Sequence, residues 1–209
     1  MLRYKHIVIE GNIGAGKTTL ANFLAKAFKT SILLEEFEEN DFLKEFYNNK
    51  DFILHAEVQF ILDRSKQLFL FHNKEHDHII TDYIPYKSLI FSKMNLSKSD
   101  FSLVEQLVES LFKKLPQPDL MIYLEQPIAQ LKENIANRGR EYEEGISVTY
   151  LQMVEDAYKD FLKKQQDFPV LLLDAKEIDL NQPEKLTQYL ENLLTKEYEA
   201  RVKKVSLGF

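Results

Sequence analysis

Cysteine is absent from this chain of 209 residues. That excludes a disulfide framework, a thiol nucleophile and a cysteine-built metal site, and it fits a reducing compartment. Positive charge is also short: 27 lysines and arginines against 33 acids leave a formal net charge of −6. A general nucleic-acid binder needs a positive surface to displace counterions from phosphates, so no nucleic-acid partner is expected. No apolar run approaches the length of a membrane span, and MLRYKHIVIEGN flows into a strand pattern rather than the layout of a cleavable signal. A cytoplasmic protein with no membrane partner is the expectation. Glycine and proline number six each, and no repeat, linker or low-complexity tract divides the chain. With 44% hydrophobic and 29% charged residues, residues 1–209 are expected to form one globular domain.

What the chain does contain is an alternation of short apolar runs with longer helical patterns. Tyr4–Glu10, Ile32–Glu35, His78–Asp82, Leu120–Leu124 and Val170–Asp174 read as strands, several apolar on both faces as a buried parallel sheet requires. Helices are expected over Lys17–Phe28, Asp51–His72, Phe101–Lys114, Pro127–Arg138, Val148–Gln166 and Pro183–Lys196. Pro127 and Pro183 suit first-turn positions, and Asp100 and Ser147 suit caps. The pattern predicts an α/β fold, a five-stranded, mostly parallel sheet with helices on both faces. The tail, residues 197–209, carries a basic VKKV that fits either a solvated end or a contact with a partner.

Three of the six glycines fall in GNIGAGKT, residues 11–18, between the first strand and the first helix. The segment satisfies GxxxxGK[ST], in which glycines let backbone N–H groups converge on phosphate oxygens at a helix N-terminus. Gly11, Asn12, Ile13, Gly14, Ala15, Gly16, Lys17, Thr18 and Thr19 are thus the expected phosphate cradle for ATP. Lys17 would reach the β and γ phosphates, and Thr18 would ligate Mg2+. Strand three ends in HIITDY, placing Asp82 beside the phosphates as a magnesium partner, a role compatible with capping a helix before Pro85. The absence of an NKxD element lowers a GTPase reading. Strand two ends in ILLEEFEENDFL; Glu36, Glu38 and Glu39 read as a solvated helix start, whereas Glu35 closes the apolar run and should face the crevice, where a carboxylate can take a proton from an attacking hydroxyl.

With GNIGAGKTT, the spacing from Glu35 to Asn40 in EEFEEN, the late RGREYEEGI and the final-strand LLLDAKEID, the chain resembles the deoxynucleoside kinase family, as a bacterial-type member with a P-loop kinase fold. The resemblance implies ATP-dependent phosphorylation of the 5'-hydroxyl of a deoxynucleoside in nucleotide salvage. It implies that Glu35 is the general base, that Arg138 and Arg140 are arginines of a lid spanning about residues 138–146, and that Glu143 and Tyr47 hold the sugar 3'-hydroxyl. Phe91 matches an aromatic that stacks on the base, although an aromatic in an apolar helix also suits a core. Arginines after a helix also decorate a solvated C-terminal end, but two of them around Gly139, followed by an acidic stretch and Gly145, look like a mobile closing segment. Relatives commonly form homodimers; LVEQLVESLF has the apolar spacing for that or for packing within a monomer.

Three positions depart from the family pattern. An arginine usually follows the acid of the third strand, and here Tyr83 follows Asp82, so the missing charge must come from Arg64 or a lid arginine, failing which activity is weak. Asn134 stands where many relatives carry another arginine. Glu57, seven residues before Arg64, stands where the family typically has a glutamine that reads the base edge. A carboxylate only accepts hydrogen bonds, so Glu57 favours guanine over adenine, with cytosine also acceptable if Arg64 serves its acceptors. Glu57 as a buried partner of Arg64, or Gln59 as the reader in a shifted register, are the alternatives. Two other functions stay open: a nucleoside monophosphate kinase of thymidylate kinase type, against which residues 35–47 offer no arginine for an acceptor phosphate, and a non-catalytic nucleotide-binding protein.

Overall fold

The computed structural model describes residues 2–36, 42 and 52–208. The central strand β1 (His6–Gly11) is buried along its whole length because it is paired on both edges. It is followed by α1 (Lys17–Phe28), β2 (Ser31–Leu33), α2 (Ile53–His72), β3 (Ile79–Thr81), α3 (Lys87–Asn95) and α4 (Lys98–Phe112). The second half runs β4 (Leu120–Glu125), α5 (Ile128–Arg138), α6 (Val148–Lys164), β5 (Val170–Asp174), α7 (Pro183–Leu194) and β6 (Val202–Val205). Among the described residues the sheet has six strands in the order β2-β3-β1-β4-β5-β6, and every pairing is parallel.

Alternation along the strands sends side chains to two layers. Ile7 and Ile9 of β1 with Leu120, Ile122 and Leu124 of β4 pack against α1, α5 and α7. Val8, Met121 and Tyr123 point the other way, onto α3 and α6. A third cluster joins Ile61 and Leu68 of α2 to Tyr83 and to Val104, Val108 and Phe112 of α4. The apolar stripe of LVEQLVESLF therefore packs on α2, although Leu103 stays 58% exposed.

The expected sheet has one strand too few. β6 is the basic VKKV, which pairs with β5 as an edge strand, Val202 and Val205 half-buried and Lys203 and Lys204 exposed. Charged side chains suit an unpaired edge because they discourage further pairing, and two valines are too few to mark a strand by pattern. Helix α3 was also absent from the expected helices. The cap of α4 is Ser97, whose hydroxyl accepts from the Asp100 N–H, while Asp100 lies one turn inside. Ser147 caps α6 as expected, accepting from Tyr150 N–H, and Pro183 occupies the first turn of α7. Pro127 is the residue before α5 rather than in its first turn.

In such sheets ligands collect beyond the carboxyl ends of the strands where the connection order reverses. That point is β1, from which the chain moves to β2 and β3 on one side and to β4, β5 and β6 on the other. The glycine loop leaves β1 there.

Candidate active site

The loop from Gly11 to Gly16 is shaped by contacts that exclude other residues. At Gly14 (φ +81°) a Cβ would lie 2.8 Å from the Leu131 carbonyl oxygen, and Gly16 (φ +93°) is the left-handed residue from which α1 starts. Gly16 has no side chain to cap the helix, so the N-terminal amides of α1 are available to an anion. Asn12 turns its side chain away from the cleft: its Nδ2 donates to the Leu151 carbonyl at 2.9 Å and to Glu155 at 3.3 Å, and its Oδ1 accepts from Ile13 N–H at 2.8 Å. Asn134 Nδ2 donates to the Gly14 carbonyl at 2.8 Å, so the residue that departs from the family's arginine braces the loop from α5. The Lys17 ammonium folds over the loop, donating to the Gly11 and Asn12 carbonyls at 3.1 and 2.9 Å. Burial, then the nearby Lys87 charge, lowers its pKa to about 8 against the pull of Glu10 and Glu35.

Asp82, just past β3, joins the loop to strand two. Its Oδ2 accepts from the Thr18 hydroxyl at 2.6 Å and its Oδ1 from the Glu35 N–H at 2.7 Å. A hydroxyl and a carboxylate side by side at a phosphate cradle are hard oxygen donors of the kind magnesium takes when nucleotide phosphates and waters supply its remaining ligands.

Glu35 is held by two cations, one on each oxygen. Arg64 Nε donates to Oε1 at 2.8 Å, and the Lys87 ammonium bonds Oε2. Burial alone would push the Glu35 carboxyl up, but Lys87 and Arg64 outweigh it and hold the pKa at about 2. Arg64 also donates to Ser88 Oγ at 2.7 Å and lies 5.0 Å from the Phe60 ring centre.

Glu57 is 2% exposed. Its two oxygens accept from Ser92 Oγ and Asn95 Nδ2, each at 3.0 Å. Burial drives its pKa upward against Asn95, Arg64 and Ser92. Glu57 hydrogen-bonds α3 while remaining a buried electrostatic partner of Arg64, and Gln59 turns to Asp63 at 2.9 Å. Phe91 meets the cleft with one side and the Tyr158 ring with the other, 6.4 Å between centres, so its two expected environments coexist. At the opposite wall Arg138 and Arg140 both donate to Glu143 Oε1, at 3.2 and 3.3 Å; Glu143 is buried in a short turn, Glu141–Glu143.

These groups line one cleft of about 110 Å³ that opens to solvent. It brings together Ile13, Gly14, Gly16, Lys17, Thr18, Glu35, Glu57, Arg64, Asp82, Phe91, Arg138, Arg140 and Glu143. Gly11, Asn12 and Ala15 lie beneath the loop as its buried frame, and Thr19 faces solvent. Tyr47, Glu38 and Glu39 lie outside the described residues. Lys87, Phe60 and Tyr142 line the cleft without having been singled out by sequence. The one sequence signal for Lys87 was the charge missing after Asp82.

The sequence pattern of the family described as deoxynucleoside kinase matches residues 7–198. Among curated proteins, the chain is 33% identical over 203 residues to a deoxyguanosine kinase of Bacillus subtilis, covering 90% of this chain and 97% of that one. It is 32% identical over 184 residues to a deoxyadenosine/deoxycytidine kinase of the same organism, covering 83% and 84%. Among solved structures, deoxyadenosine kinase from M. mycoides with bound dATP superposes with a TM-score of 0.77 at 27% identity, over 90% of this chain and 97% of that chain. A P-loop at the reversal point of a parallel sheet and a family match running from β1 to beyond α7 agree, and the chain belongs to the deoxynucleoside kinase family.

Proposed function

We propose that the protein transfers the γ-phosphoryl group of ATP to the 5'-hydroxyl of a deoxynucleoside, with deoxyguanosine preferred. The observation that carries the reading is a largely shielded carboxylate, Glu35, its side chain 10% exposed, in the same cleft as the phosphate loop. The triphosphate lies on the loop amides with Lys17 on its outer phosphates. Thr18 and Asp82 would hold Mg2+, which when bound would neutralise charge on the phosphate oxygens.

The nucleoside enters with its base against Phe91 and Glu57. Guanine presents an N1–H and a neighbouring amino group to the two carboxylate oxygens, which Ser92 and Asn95 hold in place. Adenine would set a ring lone pair against a carboxylate lone pair. The relatives include a deoxyguanosine kinase at 33% identity and a deoxyadenosine/deoxycytidine kinase at 32%, so the preference rests on Glu57.

Glu35 accepts the hydrogen bond of the 5'-hydroxyl and takes its proton as that oxygen attacks in line. With a pKa of about 2 it is ionised throughout the neutral range but weakly basic. That suits a loose transition state, in which the nucleophile is little bonded to phosphorus and correct placement outweighs basicity. Arg138 and Arg140, released from Glu143 when the segment 138–146 closes, spread the charge of the transferring group. Glu143, with Tyr47, then holds the 3'-hydroxyl.

We also propose a cytoplasmic homodimer of single-domain subunits. Among the described residues no helix is long and apolar enough to cross a membrane. A hollow beside α6 includes Leu89, Phe101, Phe161 and Met153, the last 44% exposed, and is available to a second copy.

An acceptor screen with Mg2+ and ATP tests the reaction. Deoxyguanosine should be phosphorylated fastest among the four deoxynucleosides, and the corresponding monophosphates should not be acceptors. Transfer to monophosphates alone would assign the chain to the other kinase class, and ATP binding without transfer to any acceptor would make it a binding protein.

A further inference from the structure

The charge missing after Asp82 is restored from a different place in the fold. Tyr83 points away from the cleft: it is fully buried, and its hydroxyl donates to Gln67 Oε1 at 3.0 Å. The chain then turns back over β1, pinned where the Ile84 N–H donates to the buried Glu10 carboxylate at 3.0 Å. The turn that leads into α3 closes with Lys87 N–H on the Ile84 carbonyl at 3.1 Å. This turn delivers the first residue of α3, Lys87, to the cleft wall.

Lys87 and Arg64 bracket Glu35, but they are not equivalent. Arg64 is committed on both edges of its guanidinium, with Nε on Glu35 and Nη1 on Ser88. Lys87 bonds only Glu35 among the described residues. An ammonium has three donors, so two remain for oxygens that arrive in the cleft. Its side chain is 9% exposed, and the Phe91 ring centre lies 5.8 Å from its nitrogen. The ammonium thus lies between the carboxylate assigned as base and the aromatic assigned to the nucleobase.

We infer that Lys87 is the positioning residue that replaces the family's arginine: it fixes Glu35 at the reacting 5'-oxygen, and Arg64 only anchors the opposite carboxylate oxygen. The inference rests on the proposed reaction, since it names the cation that makes Glu35 competent. A point charge on a flexible stem does this work through position and sign rather than through a guanidinium fork, so arginine should substitute in part and a neutral isostere should not.

The test compares Lys87→Met and Lys87→Arg with the wild-type chain, using deoxyguanosine, Mg2+ and ATP. Loss of one preorganised charge at a reacting centre costs on the order of 100-fold or more in rate. Lys87→Met should lower kcat about 100-fold with the KM for ATP changed less than about threefold, and Lys87→Arg should recover kcat to within about tenfold of wild type. Retention of kcat within about threefold in Lys87→Met would overturn the inference, as would equal loss in both variants, which would mark a packing role. If the wild-type chain transfers phosphate to no deoxynucleoside, the proposed reaction fails. The inference is then judged by crystal structures of the two variants: the Glu35 carboxylate should leave its place beside Arg64 in Lys87→Met and keep it in Lys87→Arg, and an unmoved carboxylate in Lys87→Met would overturn it.

Discussion

Replacing Glu57 by glutamine isolates the group proposed to read the base. The carboxylate is buried, with Asn95 Nδ2 on one oxygen and Ser92 Oγ on the other. A carboxamide keeps the shape and exchanges one acceptor for a donor. Its oxygen should stay toward Asn95, which can only donate from that atom, and its NH2 should face Ser92, whose hydroxyl can reverse to accept. Guanine then meets one acceptor and one donor where it needs two acceptors. A hydrogen bond to a charged group contributes about 1.5–3 kcal/mol, so kcat/KM for deoxyguanosine should fall by about 10- to 100-fold. Deoxyadenosine, whose ring nitrogen accepts and whose amino group donates, should improve. The assay is kcat/KM for the four deoxynucleosides with wild type and Glu57→Gln. An unchanged ratio of deoxyguanosine to deoxyadenosine would refute the reasoning. The same ratio should decline as pH is lowered in the wild-type enzyme, because burial raises the Glu57 pKa and a protonated carboxyl gains the donor that glutamine supplies.

Other expected outcomes follow from the charges around the loop. Glu35→Gln should lower kcat by about 100-fold or more with little change in ATP affinity, and retention of most of the rate would remove the base assignment. The same variant leaves Arg64 and Lys87 buried without their anion, so denaturant unfolding should show a loss of about 3–5 kcal/mol. Because the Glu35 pKa is depressed from 4.5 to about 2, its stabilisation is present above pH 4.5 and is lost as pH falls toward 2; Glu35→Gln should flatten that part of the acid-stability curve. Lys17, lowered to about 8, should be re-protonated by a triphosphate. Calorimetry in buffers of different ionisation enthalpy should therefore show uptake of more than about half a proton on ATP binding near pH 9 and almost none near pH 6.5; equal uptake at both would contradict the contact.

The parts of this protein legible in its sequence are those where one residue type answers one local demand. Gly14 announces the loop because no side chain fits beneath Leu131, and Gly16 because its φ of +93° disfavours any side chain; β1 and β4 announce themselves because both edges and both faces are covered. Glu35 was legible by its place at the end of an apolar run. Arg64 entered only as one source of the charge missing after Asp82, and Lys87 not at all, because they reach Glu35 across 29 and 52 positions. No local pattern encodes a contact made by folding two helices over one strand end. The support of Glu57 by Ser92 and Asn95 was hidden for the same reason, together with α3, whose apolar residues are too few and too mixed with serine and lysine to stand out. β6 was missed because its stability comes from pairing with β5 rather than from its own four residues.

The central claim is that Glu35 faces an uncharged sugar hydroxyl beside the phosphate loop. A crystal structure with deoxyguanosine and a non-hydrolysable ATP analogue tests it most directly. The account predicts the 5'-oxygen within hydrogen-bond distance of a Glu35 carboxylate oxygen and in line with the γ-phosphorus; a 5'-oxygen bound elsewhere, with Glu35 still closed off by Lys87 and Arg64, would contradict it.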